Sequence, residues 1–209
     1  MERDPYAKFA GDYDTRWARF TARTHAHVLA RLPADLADKH ILDLGCGTGT
    51  LIASILMRHP GIGSITGIDV SASMLARATA TLAARPGADK VSLVRQRGAT
   101  PDFLAEAFDV VVCANVFHYF PYPATTLRAL HGALKPRGVL ILEDYAKRGP
   151  LARYGEWAIR RYDPAHRRAY DLAEVARLLT RARFTPRNGA EFRIDTLWRG
   201  WVVTGQRLP

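Results

Sequence analysis

The chain has 209 residues, a formal net charge of +10, and 48% apolar against 24% charged residues, a length and balance that support one domain with a single substantial core. No apolar run approaches the roughly 18 residues that cross a bilayer, and the opening Met1-Glu2-Arg3-Asp4-Pro5 lacks the apolar stretch of a signal peptide. Two cysteines exclude a disulfide framework and no Cys/His spacing suggests zinc, so a cytoplasmic setting and no metal are expected.

Residues 5–31 have a helical pattern with Tyr6, Phe9, Tyr13, Trp17 and Phe20 at spacings of 3, 4, 4 and 3, which puts all five on one face. Gly11 predicts a break in that helix. Such a stripe ordinarily packs on a sheet, but the phenols of Tyr6 and Tyr13 also suit a half-wet cleft. His25 and His27 stand two apart, so their rings point away from each other and form no metal pair.

Ile41–Leu44 reads as a short buried strand, and Gly45, Gly47 and Gly49 follow at alternate positions. Glycines so placed let the backbone turn sharply and approach a ligand without Cβ obstruction. The helix predicted over 51–58 aims its first N–H groups into the same space. A second strand, Ser64–Asp69, ends in an acid, and Ser71 caps a helix over 72–84. Asp69 lies 20 residues beyond Gly49, at the tip of the neighbouring strand, where a carboxylate can accept from both hydroxyls of a ribose. The pattern is Gly-x-Gly-x-Gly, not the Gly-x-Gly-x-x-Gly of dinucleotide sites, and so points from NAD towards S-adenosylmethionine.

Further strands are predicted at Ser92–Arg95, Val110–Ala114 and Val139–Asp144, with helices over 124–134 and 171–182. Their alternation implies a doubly wound parallel sheet. Glu191–Thr196 and Gly200–Gly205 read as a closing pair of strands. Residues 147–209 hold fourteen basic and six acidic groups, suited either to an acidic partner or simply to solvated arginine faces.

The glycine loop and Asp69 together resemble motif I and the acidic loop of the class I S-adenosylmethionine-dependent methyltransferases. The run from Phe108 to Tyr119 resembles that family's fourth strand and following loop, and Leu134-Lys135-Pro136-Arg137-Gly138 its "LKPGG" turn. Arg183-Phe184 stands where the family usually has Gly-Phe. The small ubiquinone/menaquinone-type members are the most similar subgroup, over about Tyr6 to Gln206.

The resemblance implies a single Rossmann-like α/β domain spanning 1–209, with sheet order 3-2-1-4-5-7-6 and the last strand antiparallel. Within it, 1–31 would be an N-terminal lid, 40–146 the cofactor core, 147–169 a variable substrate segment, and 170–209 the final helix and hairpin. S-adenosyl-L-methionine is the implied cofactor and S-adenosyl-L-homocysteine its product. Gly45, Cys46, Gly47 and Gly49 would border the methionine portion, Asp69 the ribose, and Val70 and Met74 the adenine. Asp43 would touch the ligand or brace the loop through backbone N–H groups. Gly98 and Ala99 would supply adenine contacts where the family carries an Asp, and Asn115 would hold the cofactor's amino group.

His118, three residues beyond Asn115, is the candidate general base at the cleft mouth, with Tyr13 a second catalytic candidate and Tyr119, Asp144 and Tyr145 alternatives. The expected reaction is C- or O-methylation of a small apolar acceptor such as a quinone or polyketide, with Trp157, Trp198 and Trp201 in the acceptor pocket. The alternatives are an RNA methyltransferase, suggested by the basic charge, and a non-catalytic S-adenosylmethionine-binding protein. A monomer or homodimer with at most peripheral membrane contact is expected.

Overall fold

A computed structural model describes residues 4, 11–96, 105–146, 161, 163, 165–196 and 198–209. In chain order the elements are α1 (Tyr13–Leu29), β1 (His40–Leu44), α2 (Thr50–Arg58), β2 (Ser64–Asp69), α3 (Ala72–Leu82), β3 (Val91–Arg95), β4 (Phe108–Ala114), α4 (Pro123–Ala133), β5 (Leu134–Tyr145), α5 (Leu172–Arg181), β6 (Phe184–Arg193) and β7 (Arg199–Arg207). The strands form one sheet in the order β3-β2-β1-β4-β5-β7-β6, as the resemblance implies. The first five pair in parallel, and β7 runs antiparallel between β5 and β6.

Strands covered on both faces read as continuous apolar runs, and β1 and β4 in the middle of the sheet are buried on both. On one face Ile41, Val110, Val112, Ile141 and Val202 pack under Val28 of α1, four residues of α2 and Leu82 of α3. On the other, Leu42, Val111, Leu140, Leu142 and Trp201 pack under α4 and α5. Trp201 is wholly buried, and its indole N–H donates to the Tyr170 carbonyl at 3.0 Å. Deleting such a ring costs about 3–5 kcal/mol. The helix start expected from the Ser71 cap is present, and α5 has a cap of its own. Ser71 Oγ accepts from Met74 N–H, and Asp171 and Glu174 form a reciprocal capping box at α5.

The boundaries differ most at the closing strands. β6 begins at Phe184, well before the expected Glu191, because Pro186, Asn188 and Gly189 read as turn residues. On an edge strand Pro is tolerated, and a bulge between Arg187 and Ala190 absorbs Asn188 at φ 50°. Likewise β5 starts directly after α4, at Leu134, with Arg137 at φ 65°.

Arg183 ends the turn after α5 at φ 68°, the left-handed conformation that usually takes glycine. Strain there costs an arginine roughly 1–2 kcal/mol, and glycine's extra freedom in the unfolded chain returns part of that. Arg183→Gly should therefore stabilise the fold by about 0.5–1 kcal/mol, read as a higher urea midpoint at unchanged slope. A fall in the midpoint would mean that the arginine side chain outweighs its backbone strain.

Candidate functional site

At the carboxyl ends of β1, β2 and β4 the chain encloses a cleft of about 310 Å³, the position at which open α/β sheets take ligands. The glycine turn after β1 is its floor. Gly45, Gly47 and Gly49 have φ of 79°, 53° and 77°, a run of left-handed conformations that only glycine adopts without strain. A Cβ on Gly45 would lie 2.2 Å from Val116 Cγ2, whereas one on Gly47 would meet nothing within 4 Å. One glycine is thus required by packing and the other by the open space before it. Gly45 and Cys46 donate their N–H groups to the Ile68 carbonyl at 2.7 and 3.0 Å, stitching the turn to β2.

Asp69 braces the same loop. Its Oδ2 accepts from the Gly47 N–H and its Oδ1 from the Ser71 N–H, both at 2.9 Å. Burial nonetheless raises its pKa despite those backbone donors. The carboxylate is held where it is costly to hold, a mark of functional positions. Val70 and Met74 line the cleft beside it. Met74 is also 3% exposed, so it serves core and cleft wall together.

Asp43 does not brace the loop. Among the described residues no backbone N–H donates to its side chain and its Oδ2 is buried without a hydrogen-bond partner; the adjacent Leu44 and Gly45, not Asp43, line the cleft. Burial, with the nearby Asp69 carboxylate second, raises its pKa to about 7. Its folded pKa therefore exceeds the unfolded value, so its contribution to stability is fully present below about pH 4 and is lost as pH rises towards 7. Asp43→Asn should accordingly stabilise the ligand-free protein, by little at pH 4 and by about 2–4 kcal/mol above pH 7. Thermal melts across that range check it; a pH-independent gain would refute the charge explanation.

Helix α1 closes one side. Tyr13, Thr21 and His25 line the cleft. Asp14 accepts from the Thr48 hydroxyl at 2.6 Å, and Thr24 Oγ accepts from Asn115 Nδ2 at 2.9 Å. The expected single aromatic face divides: Tyr13 faces the cleft, Trp17 is 37% exposed, and Phe20 stacks edge-on against Trp198. Tyr6 and Phe9 lie outside the described residues, as do Gly98, Ala99 and Trp157. Gln96, just before them, lines the cleft. Burial lowers the His25 pKa to about 4 and raises that of Tyr13 to about 12, with Asp69 the next cause for the phenol. His27 points away and stacks on Phe192 at 3.7 Å.

Asn115 follows β4 directly at φ 56°, in the cleft wall, with its Oδ1 buried and without a hydrogen-bond partner among the described residues. His118 corrects the expectation of a base at the mouth. It is 6% exposed and absent from the described lining, its Nδ1 bound to Asp144 at 2.8 Å and its N–H donating to the same carboxylate at 2.9 Å. The short helical turn after Asn115 brings Tyr119, not His118, to the cleft. Asp144 and Tyr145 are buried and outside the lining; so is Trp201, within one core, while Trp198, also outside the lining, is half-buried against the other. Thr21, His25, Thr48, Gln96 and Arg167 line the cleft without having stood out in the sequence.

This glycine turn, the acid at the tip of β2 and the 3-2-1-4-5-7-6 sheet define a nucleotide-type cofactor domain. Residues 42–140 match the family described as "Methyltransferase domain". Over that stretch, a little under half of the chain, the sequence is similar to the class I S-adenosylmethionine-dependent methyltransferases. It is 35% identical over 123 residues to the ubiquinone biosynthesis O-methyltransferase of Pseudomonas aeruginosa, covering 57% of this chain and 49% of that protein. Nocamycin O-methyltransferase of Saccharothrix syringae is 33% identical over 159 residues, covering 74% of this chain and 53% of that one. The chain spans about half the length of these relatives. The crystal structure of a SAM-dependent methyltransferase from Aquifex aeolicus superposes with a TM-score of 0.73 at 19% identity, covering 99% and 100% of the two chains.

The residues present fit S-adenosylmethionine, the cofactor of this family. Its ammonium and ribose hydroxyls are donors; Asn115 offers an unpartnered acceptor and Asp69 keeps lone pairs beyond its backbone bonds. The open position in front of Gly47 admits the backbone-close approach that such a ligand requires. Among the described residues no helix is long and apolar enough to cross a membrane.

Proposed function

We propose that the protein transfers the methyl group of S-adenosylmethionine to a small-molecule acceptor, with an oxygen acceptor on an apolar ring compound favoured over carbon. The observation that carries this reading is the pairing of an unpartnered buried Asn115 Oδ1 with the open space before Gly47 in one cleft. The ubiquinone and nocamycin relatives are both named as O-methyltransferases, which supports an oxygen acceptor. When bound, the cofactor supplies an activated methyl group, so the protein's task is positioning and exclusion of water.

In this reading Asp69 holds the ribose, Asn115 the amino group, Gly45 to Gly47 the methionine backbone, and Val70 with Met74 the adenine. Tyr13, Thr21 and His25 on α1 cover the opposite side. His118 acts as a positioning residue: bound to Asp144, it supports Tyr119 at the acceptor end.

Calorimetry tests the reading. S-adenosylhomocysteine should bind in the micromolar range and NAD negligibly, and a panel of phenols and quinols should gain one methylene in mass with S-adenosylmethionine. Tighter binding of NAD than of S-adenosylhomocysteine would sink it. Methylation of RNA in place of the panel would replace the acceptor class.

A further inference from the structure

A second cavity, a groove of about 230 Å³, adjoins the cleft. It is lined by Pro123, Arg168 and Tyr170 and by Glu174, Arg177 and Arg181 of α5. The two cavities share their walls. Leading into α4, Phe120 and Pro121 line the cleft and Pro123 the groove. Leading into α5, Ala165 and Arg167 line the cleft, while Arg168 and Tyr170 line the groove. The consecutive residues Arg167 and Arg168 thus belong to different cavities. Their backbone is fixed, since both N–H groups donate to the His118 carbonyl, at 3.0 and 3.2 Å, and His118 is tied to Asp144. The groove therefore opens beside the end of the cleft that Tyr119 and Phe120 wall, away from Asp69.

The groove is unbalanced in charge. Its described lining holds three guanidiniums and one carboxylate. That carboxylate, Glu174, is already committed: one oxygen takes the Arg168 guanidinium and the other the Asp171 N–H at 3.1 Å. Arg168 also lies over the Tyr170 ring, 5.0 Å from its centroid. Arg177 and Arg181 are exposed and stand one helical turn apart, and their guanidiniums make no hydrogen bond or ion pair with a described residue. Like charges at that spacing repel and weaken a helix slightly. A dianion between them is favoured twice, because it offsets the repulsion and takes the forked donors of both guanidiniums. Phosphate has the charge and the several acceptor oxygens that such a pair requires.

We propose that the methyl acceptor is a phosphate-bearing conjugate, with its reactive oxygen in the cleft and its phosphate in the groove against Arg177 and Arg181. This rests on the methyltransferase reading above. The linker between the two groups crosses the shared wall at Pro121 to Pro123 and Arg167 to Arg168. Binding energy gathered at the phosphate, remote from the reacting oxygen, holds the ring in place for transfer. The enzyme then selects for the tail of its acceptor as well as for the ring.

The test measures binding of 4-hydroxyphenylalkyl phosphates of increasing chain length to the protein loaded with S-adenosylhomocysteine, each against the alcohol of the same length. At the length that spans the shared wall, the phosphate should bind roughly tenfold or more tightly than its alcohol and than inorganic phosphate. Added salt should narrow that gap. The double variant Arg177→Gln, Arg181→Gln should abolish it, while affinity for the alcohol and for S-adenosylhomocysteine stays within about twofold. Arg128→Gln on α4, whose parent side chain donates to Thr125 outside the groove, should change nothing. No gap at any length, or a gap that survives in the double variant, overturns the proposal. So does inorganic phosphate that binds as tightly as the conjugate, which would leave an anion site unconnected to the acceptor. Binding to phosphatidylglycerol vesicles that the double variant loses, with no gap among the probes, would assign the arginines to a lipid headgroup and overturn it as well. A parent protein that fails to bind S-adenosylhomocysteine at all overturns the methyltransferase reading itself.

Discussion

Gly45→Ala should cost the fold about 2–5 kcal/mol, while Gly47→Ala should cost no more than about 1–2 kcal/mol and instead abolish cofactor binding. Both positions have positive φ, so both substitutions carry left-handed strain. Only at Gly45 does the added methyl run into the core, at 2.2 and 2.8 Å from the two methyl groups of Val116. Val116 sits on the loop after β4, so relief would require that loop to move. At Gly47 the methyl projects into empty cleft, where a ligand must come close to the backbone. Urea unfolding and S-adenosylhomocysteine titration of the two variants should show opposite rankings. If Gly47→Ala binds the cofactor like the parent, the glycine turn is not its cradle.

Asp69→Ala should weaken S-adenosylhomocysteine binding by about 2–4 kcal/mol, since it removes a charged acceptor and leaves ribose hydroxyls unpaired. It also frees the Gly47 and Ser71 N–H groups that the carboxylate now holds. The stability loss should stay within about 1–2 kcal/mol, because the lost hydrogen bonds are offset by relief of a desolvated charge. Asp69→Asn keeps one acceptor oxygen and should fall between parent and alanine in affinity. Unchanged affinity in the alanine variant would remove Asp69 from the ribose site.

The cofactor turn and the parallel alternation of strands were legible because their signals are local, whereas the sheet order followed only from the family resemblance. Three glycines after an apolar strand and an acid at the tip of the next one are read within about thirty residues, and the parallel alternation follows from element order. Arg167 and His25 were not legible. Each is an ordinary residue on its own segment and reaches the cleft only through long-range packing, Arg167 by hanging on the His118 carbonyl. His118 was misplaced for a related reason: a strand-end motif shows that a histidine is near the cleft but not which way a short helical turn rotates it. The early start of β6 was hidden by Pro186, Asn188 and Gly189, whose turn chemistry is genuine but is accommodated by an edge and a bulge.

The placement of β7 has a consequence for the order in which the molecule assembles. Leu140 and Leu142 of β5 pair with Gly205 and Val203, more than sixty positions later in the chain. Until residues 199–207 arrive, the cofactor half of the sheet ends on a bare β5 edge of apolar, strongly strand-forming sequence. Such an edge is a template for pairing with another chain, and closing so long a loop is slow compared with forming neighbouring strands. Refolding should therefore lose yield steeply with protein concentration, and a chain cut before Arg199 should aggregate although its whole cofactor turn is intact.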